Sequence, residues 1–366
     1  MASAESAIQR DIGAGAVRGS VTRGRRARWW VRRGSRGRFR YETPDGRRVT
    51  DKESLERIRS LAVPPAWREV RVSPSARSAL QAIGVDASGR VQRVYHPSFV
   101  ARRARRKYEK IEKFGELLPA LRRRTNEDIA REGLGKERVL AVVVRLINDL
   151  YFRVGSEESV RRYRTYGVTT LRNQHFEVGR GGRLVFDFVG KHQVGHRRIL
   201  VDEELAALMQ DIKSLKGRKL FQYLDEEGRR RPVTARDVNE YIKAATAPEF
   251  SAKDFRTWGG TLLAAVELAE IGRCEDEKKA RGNIVKAVCR VAERLGNTPT
   301  VCRGCYVHPA VLEAYAEGRT LESFRPARAR RISRQQPEHD PEEAALLELL
   351  RARKNGGATS EKKDGA

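Results

Sequence analysis

Cysteine and methionine are scarce in this 366-residue chain, which holds four cysteines and two methionines. Cys274, Cys289, Cys302 and Cys305 are too few to build a disulfide framework and are typical of a protein kept in a reducing compartment. Cys302 and Cys305 have the spacing of half a zinc or redox site, but no second pair or histidine cluster stands at the usual ligand spacing. We therefore interpret the four as ordinary thiols and expect no metal.

Long apolar runs and nucleotide-binding motifs are also missing. No stretch approaches the ~18 residues of a membrane span, and the N-terminus lacks the apolar segment of a secretion signal. The sequence contains no Gly-x-x-x-x-Gly-Lys-Ser/Thr loop for phosphates and no clear carboxylate cluster for Mg²⁺. We expect a cytoplasmic protein that uses neither nucleotide nor cofactor.

Acidic side chains are outnumbered, with 48 Asp and Glu against 75 Lys and Arg and a net charge of +27. Such an excess favours a polyanionic partner, because neutralising its charge releases condensed counterions. The first 40 residues contribute +9, so the remaining +18 belongs to the rest of the chain. Nucleic acid is therefore a better prediction than a merely solvated basic surface.

The organisation along the chain predicts an α+β protein with a small β-rich domain before a larger, mainly helical one. In the helical domain, three alternating segments within residues 169–201 predict an antiparallel sheet, with the first strand at 169–178. A helix is expected at residues 341–354. The predicted divisions are a flexible basic arm (1–36), a β-rich N-terminal domain (37–104), a mainly α-helical domain (105–330) and a C-terminal tail with one short helix (331–366).

Cutting and resealing a DNA strand without loss of bond energy requires a covalent intermediate on a protein side chain. Tyrosine suits this task because phenolate is a better leaving group than a sugar alkoxide, so the strand can be resealed. The extra negative charge on the phosphoryl oxygens calls for Arg guanidinium groups. The departing 5′ oxygen needs a proton, which a desolvated Lys beside other cations can supply.

The chain contains each of these groups in a setting that suits the chemistry. Lys253 and Arg256 stand at the i, i+3 spacing of one helix face in Lys-Asp-Phe-Arg-Thr-Trp. Tyr306 lies in Gly-Asn-Thr-Pro-Thr-Val-Cys-Arg-Gly-Cys-Tyr, a few residues after Asn297. The candidate catalytic residues, in chain order, are Arg153, Lys191, Lys253, Arg256, Asn297 and Tyr306.

With these segments the chain resembles the compact type IB DNA topoisomerases of poxviruses and bacteria, from about residue 38 to residue 325. The resemblance rests on several segments in the same order, which is more specific than any lone motif. It implies the tyrosine recombinase/topoisomerase IB catalytic fold and a monomer acting on double-stranded DNA in the nucleoid. The segments are residues 47–51, 61–67, 84–90 and 166–172, together with Phe-Val-Gly-Lys, Lys-Asp-Phe-Arg-Thr-Trp and Asn-Thr-Pro.

The resemblance also implies a role for each candidate residue. Tyr306 would attack the phosphate and be left as a 3′-phosphotyrosyl adduct, with Lys191 as the general acid, assisted by Lys253. Arg153 and Arg256 would hold the nonbridging oxygens. Asn297 would donate a hydrogen bond to one of them.

Two positions depart from the pattern of the family. Many relatives have His where Asn297 stands, and an amide can orient a phosphate but cannot shuttle a proton. In the strand that relatives place against the major groove, Arg93 stands where the family usually has Tyr, so Arg93 could read guanine or grip phosphate. The expected DNA-contacting residues are Arg90, Gln92, Arg93 and Tyr95.

Two other classes of protein remain as alternatives. A tyrosine site-specific recombinase uses the same chemistry, but usually has His-x-x-Arg where this chain has Lys253 to Arg256, and carries a helical N-terminal domain. A nonenzymatic DNA-binding protein would not need every catalytic position filled by a competent residue type. A minor hypothesis concerns oxidation of Cys302 and Cys305, which could displace Tyr306.

Overall fold

The computed structural model describes residues 28–35, 37–323 and 337–360, and the side chains as far as residue 353. The chain forms two compact units, one within Met1–Tyr108 and one within Glu109–Ala366, which we call the N-terminal unit and the C-terminal unit. Most of the predicted basic arm, residues 1–27, lies outside the described residues.

The N-terminal unit is a five-stranded antiparallel sheet with one short helix. The strands lie in the order β2-β1-β3-β4-β5. Its core consists of aliphatic side chains from this helix and sheet, with Trp30 and Trp67 packed at the edge. The elements are β1 (Trp30–Arg33), β2 (Arg40–Glu42), α1 (Lys52–Ser60), β3 (Arg68–Val72), β4 (Leu80–Val85) and β5 (Val91–Tyr95).

Two aspartates fix the local structure of this unit where the sequence predicts it. The Asp51 carboxylate accepts the backbone N–H of Ser54 at 2.8 Å and so caps α1. The Asp86 carboxylate accepts the N–H groups of Ser88 and Arg90, both at 2.9 Å, which closes the turn between β4 and β5. Both aspartates act on residues two to four positions along the chain, so the local sequence is enough to predict the cap and the turn.

The strand β1 corrects the predicted basic arm. Residues 30–33 were expected to belong to a flexible segment, but β1 pairs with both β2 and β3. Trp30 packs against the core of the unit, and this burial offsets the entropy lost when an Arg-rich segment becomes ordered.

A long helix, α2 (Pro97–Ile129), contains the boundary between the units. The basic run at residues 102–107 lies inside this helix rather than in a linker. The C-terminal unit adds α3 (Lys136–Leu150), α4 (Glu157–Tyr163), β6 (Phe176–Val178), β7 (Arg183–Gly190), β8 (Val194–Val201), α5 (Glu203–Ser214), β9 (Gln222–Leu224), β10 (Arg230–Pro232), α6 (Ala235–Ala245), α7 (Ala252–Ile271), α8 (Glu277–Leu295), α9 (Pro299–Cys305), α10 (Pro309–Ala316) and α11 (Pro341–Ser360).

Helix α3 lies at the centre of the core of the C-terminal unit. Every residue from Val139 to Val144 is buried, as its nearly continuous apolar sequence predicts. It ends at Tyr151, a non-glycine residue in the left-handed region with φ 55°. The chain therefore turns sharply just before Arg153.

The predicted three-stranded antiparallel sheet is present in the order β6-β7-β8, but its first strand is shorter than expected. Residues 168–170 and 173–175 form 3₁₀ turns instead of extending the strand. The reason is that Val168 and Thr169 donate their backbone N–H groups to the carbonyls of Arg153 and Val154, at 2.8 and 2.9 Å. These donors are then unavailable to a sheet ladder.

The helix predicted at residues 341–354 is present as α11, but it packs into the C-terminal unit instead of lying in a separate tail. Its apolar side chains join the core of the C-terminal unit, and Glu343 forms a bidentate ion pair with Arg122 of α2 at 2.7 and 2.8 Å. Trp258 of α7 donates to the same carboxylate at 3.4 Å. This segment is thus part of the unit that holds the candidate catalytic residues. The sequence reading also missed α4, α10 and the β9-β10 hairpin.

No helix in the described part of the chain is both long and apolar enough to cross a membrane.

Candidate active site

Arg256 is the most deeply buried of the candidate catalytic residues, with 4% of its surface exposed. It lies on α7, whose first turn is fixed by the predicted capping box, in which the backbone N–H of Ser251 donates to the Asp254 carboxylate at 2.8 Å. Its two terminal nitrogens donate to the carbonyls of Tyr151, at 2.5 Å, and Leu295, at 2.7 Å. Burial lowers the pKa of the guanidinium. Two fixed carbonyls thus hold a cation away from water.

Arg153 follows the left-handed residue at the end of α3 and is partly buried. Its Nη2 donates to the carbonyl of Gly296 at 3.1 Å and to Oδ1 of Asn297 at 2.5 Å. The ends of α3 and α8 are therefore joined through this guanidinium. Arg153 and Asn297, 144 residues apart in the chain, meet at one place.

Asn297 is placed by the end of α8. Gly296 takes the left-handed conformation, with φ 61°, and turns the chain out of the helix as the sequence predicts. The Asn297 amide nitrogen is buried and has no hydrogen-bond partner among the residues that the structure describes, and the same holds for Nε of Arg256. Such donors are expected to find partners, so both are available to an acceptor that binds here.

Tyr306 immediately follows α9, a helix that begins with Pro299 at its first position, as the sequence predicts. Its ring is buried, and the Arg256 guanidinium carbon lies 5.1 Å from the ring centroid. Its backbone carbonyl accepts a hydrogen bond from the Thr261 hydroxyl of α7 at 3.2 Å. Tyr306 is thus held by two contacts with α7, one at its ring and one at its backbone carbonyl.

The two candidate lysines lie in different surroundings. Lys191 is exposed in the three-residue turn that joins β7 to β8. Lys253 is exposed in the first turn of α7, whereas Arg256 in the next turn is buried. The structure brings Arg153, Arg256, Asn297 and Tyr306 together; none of the described hydrogen bonds of this group includes Lys253.

His196 and Arg198 belong to the same pocket as Arg153 and Arg256, and sequence reasoning missed them. Both lie on β8, where they pair with Phe188 and Phe186 on the inner face of the sheet. Burial, together with the charges of Arg198, Arg153 and Arg256, lowers the pKa of His196 to about 4. The signal in the sequence was the two-residue alternation of β8, which places His196 and Arg198 on the same face.

Comparison with known proteins gives matches over most of the chain. A family profile described as eukaryotic DNA topoisomerase I, catalytic core, matches residues 96–329, and one described as bacterial DNA topoisomerase IB, N-terminal domain, matches residues 38–86. DNA topoisomerase 1B of Acanthamoeba polyphaga mimivirus is 30% identical over 282 residues, which is 75% of this chain and 83% of that protein. The chain belongs to the type IB DNA topoisomerases.

Other relatives in this family are more distant or shorter in their match. DNA topoisomerase 1B of vaccinia virus (strain Copenhagen) is 24% identical over 285 residues, or 74% of this chain and 85% of that protein. DNA topoisomerase 1 of Daucus carota is 30% identical over 175 residues, which is 47% of this chain and 20% of that protein. The predicted family and fold are therefore confirmed, and the protein is a type IB topoisomerase enzyme.

In this topoisomerase, the side chains of β5, the strand expected to contact DNA, alternate between the two faces of the sheet. Gln92 pairs with Gly84 on the core face of the sheet, and its amide donates to the Asp86 carboxylate at 2.8 Å. Arg93 pairs with Ile83 and lies on the opposite face. Tyr95 stacks on Phe99 with ring centroids 5.2 Å apart. The fourth predicted residue, Arg90, is exposed in the turn before β5.

The cysteines of the topoisomerase are all unpaired by disulfides. Cys302 is fully buried, and burial raises the pKa of its thiol to about 12. Thiolate chemistry at Cys302 is therefore disfavoured. In the described part of the chain, no group of three or more His, Cys, Asp or Glu side chains is arranged to hold a metal ion.

Proposed function

We propose that the protein relaxes supercoiled DNA by cutting one strand through Tyr306, letting the free end swivel, and resealing the strand. The observation that carries the proposal is a pair of buried donors without a partner among the described residues, Nε of Arg256 and the amide nitrogen of Asn297. The Arg256 guanidinium lies beside the Tyr306 ring, and Asn297 is bonded to Arg153. Donors fixed in a water-poor site stabilise the charge that develops on a phosphate in the transition state.

In the proposed step the Tyr306 phenol gives its proton to water, its oxygen bonds to phosphorus, and the bond from phosphorus to the 5′ oxygen breaks. Arg153, Arg256 and Asn297 hold the nonbridging oxygens. Lys191 gives a proton to the departing 5′ oxygen, and Lys253, which lies near the start of α7, assists from the exposed side. The product is a 3′-phosphotyrosyl adduct and a free 5′ hydroxyl.

The energy of the broken bond is kept in the phosphotyrosyl linkage, so resealing needs no nucleotide. The charge on the phosphate is met by guanidinium and amide groups of the chain, so we propose that no metal ion is needed. One chain supplies every proposed catalytic group, and we therefore propose a monomer on double-stranded DNA in the nucleoid. Residues Arg90, Gln92, Arg93 and Tyr95 of the N-terminal unit would contact that DNA.

The proposal is tested with negatively supercoiled plasmid in EDTA and without ATP. Wild type should relax the plasmid in steps, whereas Tyr306→Phe, which lacks only the nucleophilic oxygen, should leave it supercoiled. Tyr315→Phe is the matched control, because its hydroxyl bonds the Gly272 carbonyl at 2.8 Å outside the site and its loss should not stop relaxation. Activity of Tyr306→Phe equal to wild type would refute the assignment.

A second readout fixes the polarity of the break. Denaturing the reaction with detergent should trap protein on 5′-end-labelled strands, because the adduct retains the 3′ phosphate. Transfer of label to protein only from 3′-end-labelled strands would contradict the proposed chemistry.

A further inference from the structure

The imidazole of His196 fills a slot between two glycines. A Cβ atom added at Gly190 would lie 2.5 Å from Cδ2 of the ring, and one added at Gly296 would lie 2.3 Å from Cε1. Both distances are shorter than real side chains tolerate. The left-handed conformation of Gly296 requires glycine on its own account, whereas Gly190 has φ −96°. At Gly190, the ring of His196 is what excludes a side chain.

Each of these glycines precedes a proposed catalytic residue. Gly190 precedes Lys191, and Gly296 precedes Asn297. The imidazole therefore bridges the turn that carries the general acid and the segment that binds the phosphate. Among the basic side chains, histidine is the one suited to be an uncharged spacer here, because it alone loses its charge near neutral pH.

Different contacts hold the segment of Asn297 and the turn of Lys191. Asn297 is fixed by its own backbone N–H, which donates to the Ala292 carbonyl at 2.9 Å, and by Arg153. The Lys191 turn has non-glycine residues in the left-handed region, with φ 66° at His192 and 61° at Gln193. Gln193 ties one side of this turn to the Tyr163 carbonyl at 2.7 Å. The Gln193 contact lies after Lys191 in the chain, and the imidazole contacts Gly190 directly before it.

The surroundings of His196 favour a neutral ring. Guanidinium groups reach it from three elements: Arg153 after α3, Arg256 on α7 and Arg198 on β8 itself. Arg294 of α8 also lines the pocket. A charged side chain at this position would add repulsion to an already cationic site. A neutral ring separates the segments without that cost.

We propose that His196 is a positioning residue that fixes Lys191 against the segment carrying Asn297. This inference rests on the proposed function, in which Lys191 protonates the leaving oxygen. His196 itself transfers no proton. Its removal should therefore impair leaving-group protonation while phosphate binding by the guanidinium groups persists.

The test compares single-turnover cleavage of two DNA duplexes, one normal and one with sulfur in place of the bridging 5′ oxygen at the scissile phosphate. A thiolate leaves without a proton, so this substrate bypasses the general acid. His196→Ala should cleave normal DNA about 10²-fold more slowly than wild type, the scale of a small misplacement. It should recover at least about tenfold of that loss on the sulfur substrate, since general acids contribute about 10²–10⁴-fold.

Two reference variants are measured on the same substrates as His196→Ala. Lys191→Ala should be rescued by sulfur in the same way, and Asn297→Ala should be slowed equally on both substrates. DNA affinity and the thermal unfolding midpoint of His196→Ala are measured in parallel, and affinity should stay within about threefold of wild type because the guanidinium groups remain.

A second variant tests the slot without touching His196. Gly190→Ala places a methyl group against the ring and should reproduce the defect, including its rescue by sulfur. Gly195→Ala is the matched control on β8, because a Cβ there meets nothing within 4 Å, and it should cleave at the wild-type rate. In the His196→Ala background, Gly190→Ala should cause little further loss because the slot is empty.

Wild-type cleavage of normal DNA by both His196→Ala and Gly190→Ala would overturn the inference. So would slowing by the same factor on both substrates while Lys191→Ala is rescued. If Lys191→Ala itself is not rescued by sulfur, the general acid in the proposed function has been misassigned, which is a distinguishable failure. If His196→Ala does not fold, Gly190→Ala decides the question by the same criteria.

Discussion

Arg256 of the C-terminal unit and Arg93 of the N-terminal unit carry the same charge in opposite surroundings. In the C-terminal unit, Arg256 is buried and held by two backbone carbonyls. In the N-terminal unit, Arg93 is partly exposed on the sheet face away from the core. Charge that stabilises a transition state acts more strongly when water is excluded, whereas charge that grips a DNA backbone acts by releasing counterions in water. The surroundings of Arg256 suit the first kind of interaction, and those of Arg93 suit the second.

The largest effect is expected from breaking the buried ion pair of the C-terminal unit. Glu343→Ala leaves Arg122 buried without its carboxylate, and we expect the free energy of unfolding to fall by about 3–5 kcal/mol. The measurement is chemical denaturation of the C-terminal unit. Glu348→Ala breaks an exposed pair with Arg351 on the same helix and should cost no more than about 0.5 kcal/mol. Equal small losses in both variants would show that α11 is not part of the core.

The next effect is on cleavage. Arg256→Lys keeps the positive charge but cannot donate to both carbonyls and to a phosphate. Single-turnover cleavage should slow by about 10²–10³-fold, as when one transition-state donor is removed. Arg290→Lys, in an exposed ion pair with Glu267 on α7, should cleave like wild type. A wild-type rate for Arg256→Lys would mean that fixed geometry in the buried site is unimportant.

A smaller effect concerns pH. The pKa of His196 is about 4 in the folded protein, against an ordinary value of 6.5. Between these values the unfolded chain binds a proton that the folded chain does not, so this residue's contribution to stability is full above pH 6.5 and lost as the pH falls towards 4. His196→Gln should reduce the loss of stability between pH 6.5 and 4 by at most about 1.4 kcal/mol per pH unit.

Urea denaturation at pH 5, 6.5 and 8 measures this difference. Between pH 6.5 and 8 the wild type and His196→Gln should change in parallel, which provides an internal control. A parallel change between pH 6.5 and 5 as well would show that the imidazole is not kept neutral by its surroundings.

The smallest effect is expected in the N-terminal unit. Arg93→Gln should weaken DNA binding several-fold and reduce the slope of log affinity against log salt by about 1. Its cleavage rate at saturating DNA should remain near wild type. Arg40→Gln, on the same sheet and paired with Glu42 at 2.9 Å, should leave the slope unchanged. A large loss of cleavage rate in Arg93→Gln would contradict the contrast between the surroundings of Arg256 and Arg93.

Local signals in the sequence predicted much of the fold correctly. The cap at Asp51, the turn at Asp86, the capping box at Ser251 and the glycine at 296 each act within a few residues, so their effects can be read without tertiary information. The apolar run of α3 likewise indicates its own burial.

The failures concern contacts over long separations in the chain. The helix at residues 341–354 was predicted, but its packing was not, because Glu343 meets Arg122 more than 200 residues away. The strand predicted from Thr169 fails because its donors bond to the loop at Arg153 instead. Local patterns do not contain these partners.

In the candidate site, too, local sequence was informative and contacts between distant residues were not predictable. The family resemblance identified residue types and order, and the structure brings four of the six candidates together. The resemblance could not identify His196, because the two glycines that contact its ring come from different elements. Nor could helix spacing show that Lys253 is exposed while Arg256 is buried.

The place of α11 has a consequence for synthesis of the protein. The core around Arg122 and Trp258 is completed by residues 343–350, which a ribosome adds about 40 residues after Tyr306 has been made. A nascent chain that already contains Tyr306 thus still lacks the helix that closes one side of its core. The interior of the C-terminal unit is therefore completed only by residues made after the whole candidate site.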